Sequence, residues 1–316
     1  MASVGDVVEY AALRVGLGAL GLVPWRAAGS IAGRVARLGY RPLRIRRHVV
    51  ESQIATAFPE WGAREVRRVA RGAYEHLGRT AVEAALLSTL SRERVLDMFD
   101  GEGDWARMAD ALAAGRGVIV VTGHIGNWEL AGAYIAARGV GIEGVVRRMT
   151  NPFVDRYLTA TRERAGLGVI PDDPVRRIPR ALRSGHVVAL VADQGVKGMA
   201  STYVPFFGRL AKTPRGPGVF ALRLGVPLVV GTAIRLPSGK YRALVEPILV
   251  EDTGDRERDV DAVVRRYTSV LERWVRAYPE QYLWHHRRWK RRPEEEAELE
   301  RLTQSSSTSP PSPPPP

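Results

Sequence analysis

Four consecutive β-branched residues, Val118 to Val121, make a short run that is apolar on both faces, the pattern of a parallel strand buried inside a helix-covered sheet. The run stops at Thr122-Gly123, and an amphipathic helical pattern starts near Trp128 and continues to about Arg138. Between strand and helix stand His124 and Glu129, separated by four residues. Five steps along an ideal helix turn a side chain by about 140°, so the two share no helical face. They meet only if the chain turns sharply at Gly126-Asn127 and Glu129 falls in the first helical turn. Such a strand-to-helix turn lies at a strand's carboxyl end, where open α/β sheets place their ligands.

The chemistry open to this pair is narrow. A neutral imidazole beside a carboxylate takes a proton from an alcohol, the carboxylate fixing the tautomer and stabilising the imidazolium that forms. The chain has no cysteine and no G-x-S-x-G elbow to supply a nucleophile of its own. One histidine at this spacing also differs from the two-histidine H-E-x-x-H pattern of a zinc site. A base without an enzymic nucleophile points to a hydroxyl of the substrate as the attacking group, with no metal and no cofactor. The same spacing also fits a turn in which His124 satisfies backbone groups and Glu129 caps a helix N-terminus.

The rest of the chain supplies the frame. From Val95 onward helical and strand patterns alternate. The strands are expected at Gly117–Val121, Ile142–Val146, Val169–Ile170, Val187–Ala192, Pro227–Ile234 and Tyr241–Val245, and Lys197 to Thr213 reads as long and irregular. This alternation predicts an α/β fold with a mostly parallel central sheet covered by helices. Residues before 95 read as helical. Residues 3–23 are mostly apolar but interrupted by Asp6, Glu9 and Arg14, and the uncharged stretch Val15–Trp25 is too short to cross a bilayer core, which needs about 20 residues. With Trp25, Tyr40 and several arginines nearby, residues 1–40 suit a helical segment lying in a membrane interface, and equally an ordinary helical hairpin packed on the domain. The expected division is 1–40 as this anchor, 41–293 as the α/β domain, and 294–316 as an acidic, then Ser/Pro-rich, disordered tail.

Charge narrows the partners. Forty-seven Lys and Arg against 34 Asp and Glu give a net +13. The segment from Pro293 on carries five glutamates and one arginine, which leaves +17 on residues 1–292. Such a field calls for an anionic partner: a lipid surface, an acidic protein or nucleic acid. The basic runs lack aromatic platforms and any nucleic-acid-binding signature, which disfavours the last.

Read together, six blocks resemble the bacterial lipid A late acyltransferases, within the wider H-x4-D/E lysophospholipid acyltransferase superfamily. They are Phe58-Pro59-Glu60, Thr122 to Leu130 around the H-x4-E core, Arg147 with Asn151-Pro152, Asp193-Gln194, Val204-Pro-Phe-Phe-Gly208 with Thr213-Pro214, and Trp284-His-His-Arg-Arg-Trp-Lys290. The likeness spans about residues 5–293. It implies a membrane-associated enzyme on the cytoplasmic face of a bacterial inner membrane. Such an enzyme moves a fatty acyl chain from acyl carrier protein, or acyl-CoA, to a hydroxyl of a glycolipid, a lipid A precursor above all. In that reading His124 is the general base and Glu129 orients it. Arg147 and Asp193 support the site, Gly126 and Asn127 shape the turn, and Phe206 and Phe207 form an acyl-chain wall or a core clamp. Phosphatidylinositol mannoside acyltransferases share the H-x4-E/D core. A lipid hydrolase using water at the same base, a nucleic-acid binder and a membrane-surface scaffold are the rival functions.

Overall fold

The structure is a computed structural model that describes residues 3–171, 174–195, 198–290 and Glu294. Apart from Glu294, the tail expected over 294–316 lies outside the described residues, as do Arg291 and Arg292 of the C-terminal basic run. The chain begins with four helices, α1 (Val4–Gly21), α2 (Trp25–Tyr40), α3 (Arg47–Ala57) and α4 (Ala63–Leu86), and continues through α5 (Arg92–Asp97) and α6 (Trp105–Ala113). Strand and helix then alternate as β1 (Val118–Thr122), α7 (Trp128–Ala137), β2 (Ile142–Val145), α8 (Pro152–Arg164), β3 (Leu167–Ile170), α9 (Pro174–Arg183) and β4 (Val187–Val191). A ribbon, β5 (Ser201–Phe206) and β6 (Arg209–Pro214), precedes α10 (Gly216–Leu224), β7 (Leu228–Arg235), β8 (Tyr241–Ile248) and α11 (Arg256–Ala277).

Six strands form one sheet in the order β3-β2-β4-β1-β7-β8. The first five run parallel and β8 closes the edge antiparallel to β7. β1 sits inside the sheet, and all five of its residues are buried, which is why Val118 to Val121 are apolar in succession rather than alternating. Val118 and Val120 face a core shared with α5, α6 and α7, whereas Ile119 and Val121 face the larger core under α9, α10 and α11. α2 lies along α4 through small residues: a Cβ on Gly78 would come 2.5 Å from both the Ala32 carbonyl oxygen and the Ala36 Cβ. Asn151, the N-cap of α8, donates from Nδ2 to the Asp6 carbonyl (2.9 Å) and to Glu9 (2.8 Å), tying α1 to the α/β layer. No helix among the described residues is long and apolar enough to cross a membrane.

The stretch read as irregular, Lys197 to Thr213, contains the β5–β6 hairpin instead. Its two-residue turn is Phe207-Gly208, with φ of 52° and 71°, the left-handed pair that matches the twist of antiparallel strands. Pro205 interrupts the strand pattern but is tolerated because the ribbon has two strands and both are edges.

Candidate active site

β1 and β4 are adjacent and parallel, so the loops leaving their carboxyl ends are neighbours. His124 leaves β1 and Asp193 leaves β4. Gly123 lets them approach, since a Cβ there would stand 3.3 Å from the Asp193 side chain. Asp193, 3% exposed, then accepts two hydrogen bonds from one residue: His124 backbone N–H to Oδ2 at 3.0 Å and Nδ1–H to Oδ1 at 2.8 Å. Because Nδ1 is committed to the carboxylate, the Gln194 amide nitrogen 3.1 Å away is a neighbour of that edge rather than a donor to it. Nε2 has no protein partner among the described residues, and the side chain keeps 26% exposure. The Trp128 ring stands edge-on to the imidazole, 5.0 Å between centroids.

The turn that presents His124 is fixed on every side. Leu283 N–H donates to the His124 carbonyl (2.9 Å), Thr232 Oγ1 to the Ile125 carbonyl (2.7 Å), Gly126 N–H to Gln281 (3.0 Å) and Asn127 N–H to Ala233 (2.8 Å). Gly126 has φ of 62°, and a Cβ would lie 2.2 Å from the Ala233 carbonyl oxygen, so only glycine fits. Asn127 is the N-cap of α7. Its Oδ1 accepts from Leu130 N–H (2.9 Å), and its Nδ2 donates to Glu83 (2.8 Å). Glu83, 2% exposed, also accepts from the Tyr241 hydroxyl (2.6 Å) and from Arg235 (2.6 Å).

Glu129 falls in the first turn of α7, as the spacing required, but it makes a different bond from the one expected. Its carboxylate is held in a fork by Arg162 of α8, at 2.6 and 2.9 Å. The imidazole's hydrogen-bond partner is Asp193, and Glu129 acts on His124 only as a nearby charge. The physical reason is reach: α7 starts one turn past the imidazole and directs Glu129 toward α8, whereas β4 delivers Asp193 directly beside β1. Arg147 is exposed in the segment after β2 and lines the same cavity as His124. Phe206 and Phe207 do not line it. They are buried among Phe58, Tyr282, Trp284 and Trp289, where they act as packing.

Burial works against a charged imidazole at His124. The charge and hydrogen bond of Asp193, with the charge of Glu129, outweigh it and lift the imidazole above its ordinary value. For Asp193 burial favours the neutral acid, yet His124 and the buried Arg288 keep the carboxyl below its usual range. Arg288, 6% exposed, donates to Thr213 Oγ1 at 2.6 Å and to the Lys212 carbonyl, so this member of the C-terminal basic run is a core cation rather than a surface one. No group of three or more His, Asp or Glu suited to a metal ion occurs among the described residues. His124 and Thr122 open into a cavity of about 900 Å³ with mostly apolar walls, within the range of small-molecule sites.

A buried carboxylate and a histidine with one free nitrogen thus stand at an apolar cavity, an arrangement able to take a proton from a bound hydroxyl. The family model of the bacterial lipid A biosynthesis acyltransferases matches residues 7–291. The chain belongs to this family. It is similar to the lipid A biosynthesis lauroyltransferase of Escherichia coli K12, 27% identical over 284 residues that cover 89% of this chain and 92% of that protein. The palmitoleoyltransferase of the same organism is 27% identical over 90% and 92%. A phosphatidylinositol mannoside acyltransferase of Mycobacterium tuberculosis is 28% identical over 161 residues, 49% of this chain and 51% of that protein. As a member of the lipid A biosynthesis acyltransferase family the chain is an acyltransferase.

Two residues of the site had no sequence signal. Arg162 is one of several arginines in the polar helix α8, and Glu83 lies 44 positions before the Asn127 it holds.

Proposed function

We propose that this protein moves a fatty acyl chain from a thioester donor, acyl carrier protein or acyl-CoA, to a hydroxyl of a lipid A precursor at a membrane surface. The observation that carries the reading is the His124–Asp193 pair at the mouth of the cavity, with Nε2 left unpartnered. The acceptor O–H gives its proton to Nε2 while its oxygen attacks the thioester carbonyl carbon. Asp193 stabilises the imidazolium. As the tetrahedral intermediate collapses, the C–S bond breaks and the imidazolium returns its proton to the departing thiolate. Arg147 at the cavity supplies the cationic side on which the oxyanion or an acceptor phosphate rests, whereas Arg162 is neutralised by Glu129 beside it.

Membrane attachment is supported by the N-terminal surface. Val4, Val8, Val15 and Leu22 of the α1 region, Val35 and Leu38 of α2, and Leu43 and Ile45 beyond it are all more than half exposed, and Arg34, Arg37, Arg41, Arg44 and Arg46 stand among them. Apolar side chains interleaved with arginine suit an interface of anionic lipid. The anchor expected at residues 1–40 thus reaches to Arg46 on this surface, and the catalytic domain follows it to 293.

The test is acyl transfer from acyl carrier protein to a tetra-acylated lipid A precursor, run with the wild type and His124→Ala. A more acylated product, lost by about a hundredfold or more in the variant, supports the reading. Full activity in His124→Ala refutes the mechanism. Transfer only to phosphatidylinositol mannosides, the acceptor class named for the mycobacterial relative, replaces the acceptor and keeps the chemistry.

A further inference from the structure

The cavity beside His124 straddles the carboxyl edge of the sheet, and its part on the α7 side is a crevice with a distinct roof and floor. The roof is one face of α7: Trp128, Ala131, Gly132 and Ile135, at i, i+3, i+4 and i+7, all line it. The floor is one row of the parallel sheet, where Gly144 of β2 pairs with Ala189 of β4 and Ala189 with Val120 of β1. Successive residues of a strand face opposite sides, so Gly144, Ala189 and Val120 share this face with Ile142 and Leu167 one row deeper. Those deeper residues are 4% and 6% exposed and close the crevice off.

Two glycines of this crevice are in opposite situations. A Cβ on Gly132 would stand 2.5 Å from the Leu167 side chain, so roof and end wall already touch there. A Cβ on Gly144 would meet nothing within 4 Å. Gly144 therefore faces empty space in the middle of a sheet, where a glycine weakens the strand and a void forfeits packing. Both costs go together where another molecule fills the space. The cavity residues nearest it (Val120, Ala131, Ile135, Ile142, Leu167 and Ala189) are apolar, whereas Thr122, His124 and Glu129, with Arg162 bound to it, gather at the carboxyl end of β1 and the first turn of α7. That distribution suits an unbranched alkyl chain whose reactive head lies at His124.

We infer that the crevice between α7 and the sheet takes the transferred acyl chain, and that Gly144 sets how long a chain it admits. The inference rests on the acyl-transfer reading for the identity of the chain, but the binding site can be tested without transfer. Free saturated fatty acids of graded length are titrated calorimetrically into the full-length wild type and into Gly144→Ala and Gly144→Leu. The thioester length profile of kcat/KM is measured in parallel.

Leucine at 144 fills the floor. Binding and kcat/KM for the longest chain that the wild type accepts fall by on the order of tenfold or more for each methylene excluded. Values for shorter chains stay within about threefold, so the optimum moves to a shorter chain. Gly144→Ala, whose added methyl has room, folds normally and moves the optimum the same way by less. It keeps the test decisive if the leucine variant does not fold. A length profile identical in the wild type and a folded Gly144 variant overturns the inference and leaves the acyl-transfer reading standing. Length-graded fatty-acid binding that Gly144→Leu shortens, without transfer to any lipid, leaves the crevice standing and overturns the proposed reaction.

Discussion

Asp193→Asn is the substitution that most directly tests the site. Asp193 accepts from two donors on His124, the backbone N–H and Nδ1–H, one on each oxygen. An asparagine has one acceptor and one donor end. Whichever way its amide is turned, one of the two His124 donors faces an NH₂ group, so either the backbone bond or the Nδ1–H tautomer is lost. The charge is lost as well. At ion-pair distance and an effective dielectric near 20, a carboxylate and an imidazolium attract by on the order of 4 kcal/mol. In the wild type Asp193 is the largest of the influences that lift the imidazole above its ordinary value against the effect of burial. With that charge gone, burial prevails and the imidazole titrates at lower pH.

The base must be neutral to work, so wild-type kcat/KM falls as pH drops through the lifted value. In Asp193→Asn this acid limb moves to lower pH while the plateau falls by about 10²–10⁴-fold. Glu129→Gln acts through Arg162 and through its charge alone. Its limb shifts less, and its plateau falls by roughly tenfold. The assays are a pH profile of kcat/KM and an NMR titration of the His124 ring protons. If the limb and the ring titration stay in place in Asp193→Asn and move in Glu129→Gln, the assignment of Asp193 as the partner is refuted.

Glu83→Ala strands Arg235, a cation with 14% side-chain exposure, and removes an acceptor from Asn127 and Tyr241; we expect a loss of about 3–5 kcal/mol, read from the shift of the denaturant midpoint. Gly126→Ala places a methyl against the Ala233 carbonyl in a left-handed turn, so both the thermal midpoint and kcat fall, and an unchanged kcat in a folded variant sinks the account of the turn. His76, whose Nε2 lies 2.9 Å from the Gly126 carbonyl, has its titration pushed down to about 3 by burial and by the nearby Arg235. Below about pH 6.5 the unfolded chain takes up this proton and the folded chain does not. Stability therefore drops as pH falls from about 6.5 toward 3, by up to about 1.4 kcal/mol per pH unit, and His76→Gln flattens that slope in urea titrations at graded pH.

What the sequence disclosed follows from how local each signal is. β1 was legible because a strand buried on both faces is apolar without alternation, and the β-branched run Val118 to Val121, short and bounded by glycines, fits that pattern. The β5–β6 hairpin was not. Its turn is Phe207-Gly208, in which a phenylalanine takes a left-handed conformation usually given to asparagine or glycine, and Pro205 breaks the alternation before it. The phenylalanine holds that conformation because its ring is buried against Phe58 and Trp284, a tertiary reason with no local trace. The site divides the same way. His124, Gly126, Asn127 and Glu129 belong to one turn and could be read from it. The choice between Glu129 and Asp193 as partner of the imidazole depends on β4 lying next to β1, although β2 and β3 come between them in the chain. Sequence proximity favours the carboxylate five residues away, and sheet topology favours the one 69 residues away. Topology prevails because adjacent parallel strands hold their ends in register, whereas a helix that starts past the turn has already rotated its carboxylate toward Arg162 of α8. Here Glu129 ties the first turn of α7 to Arg162 of α8, and the carboxylate that meets the imidazole comes from the end of the neighbouring strand.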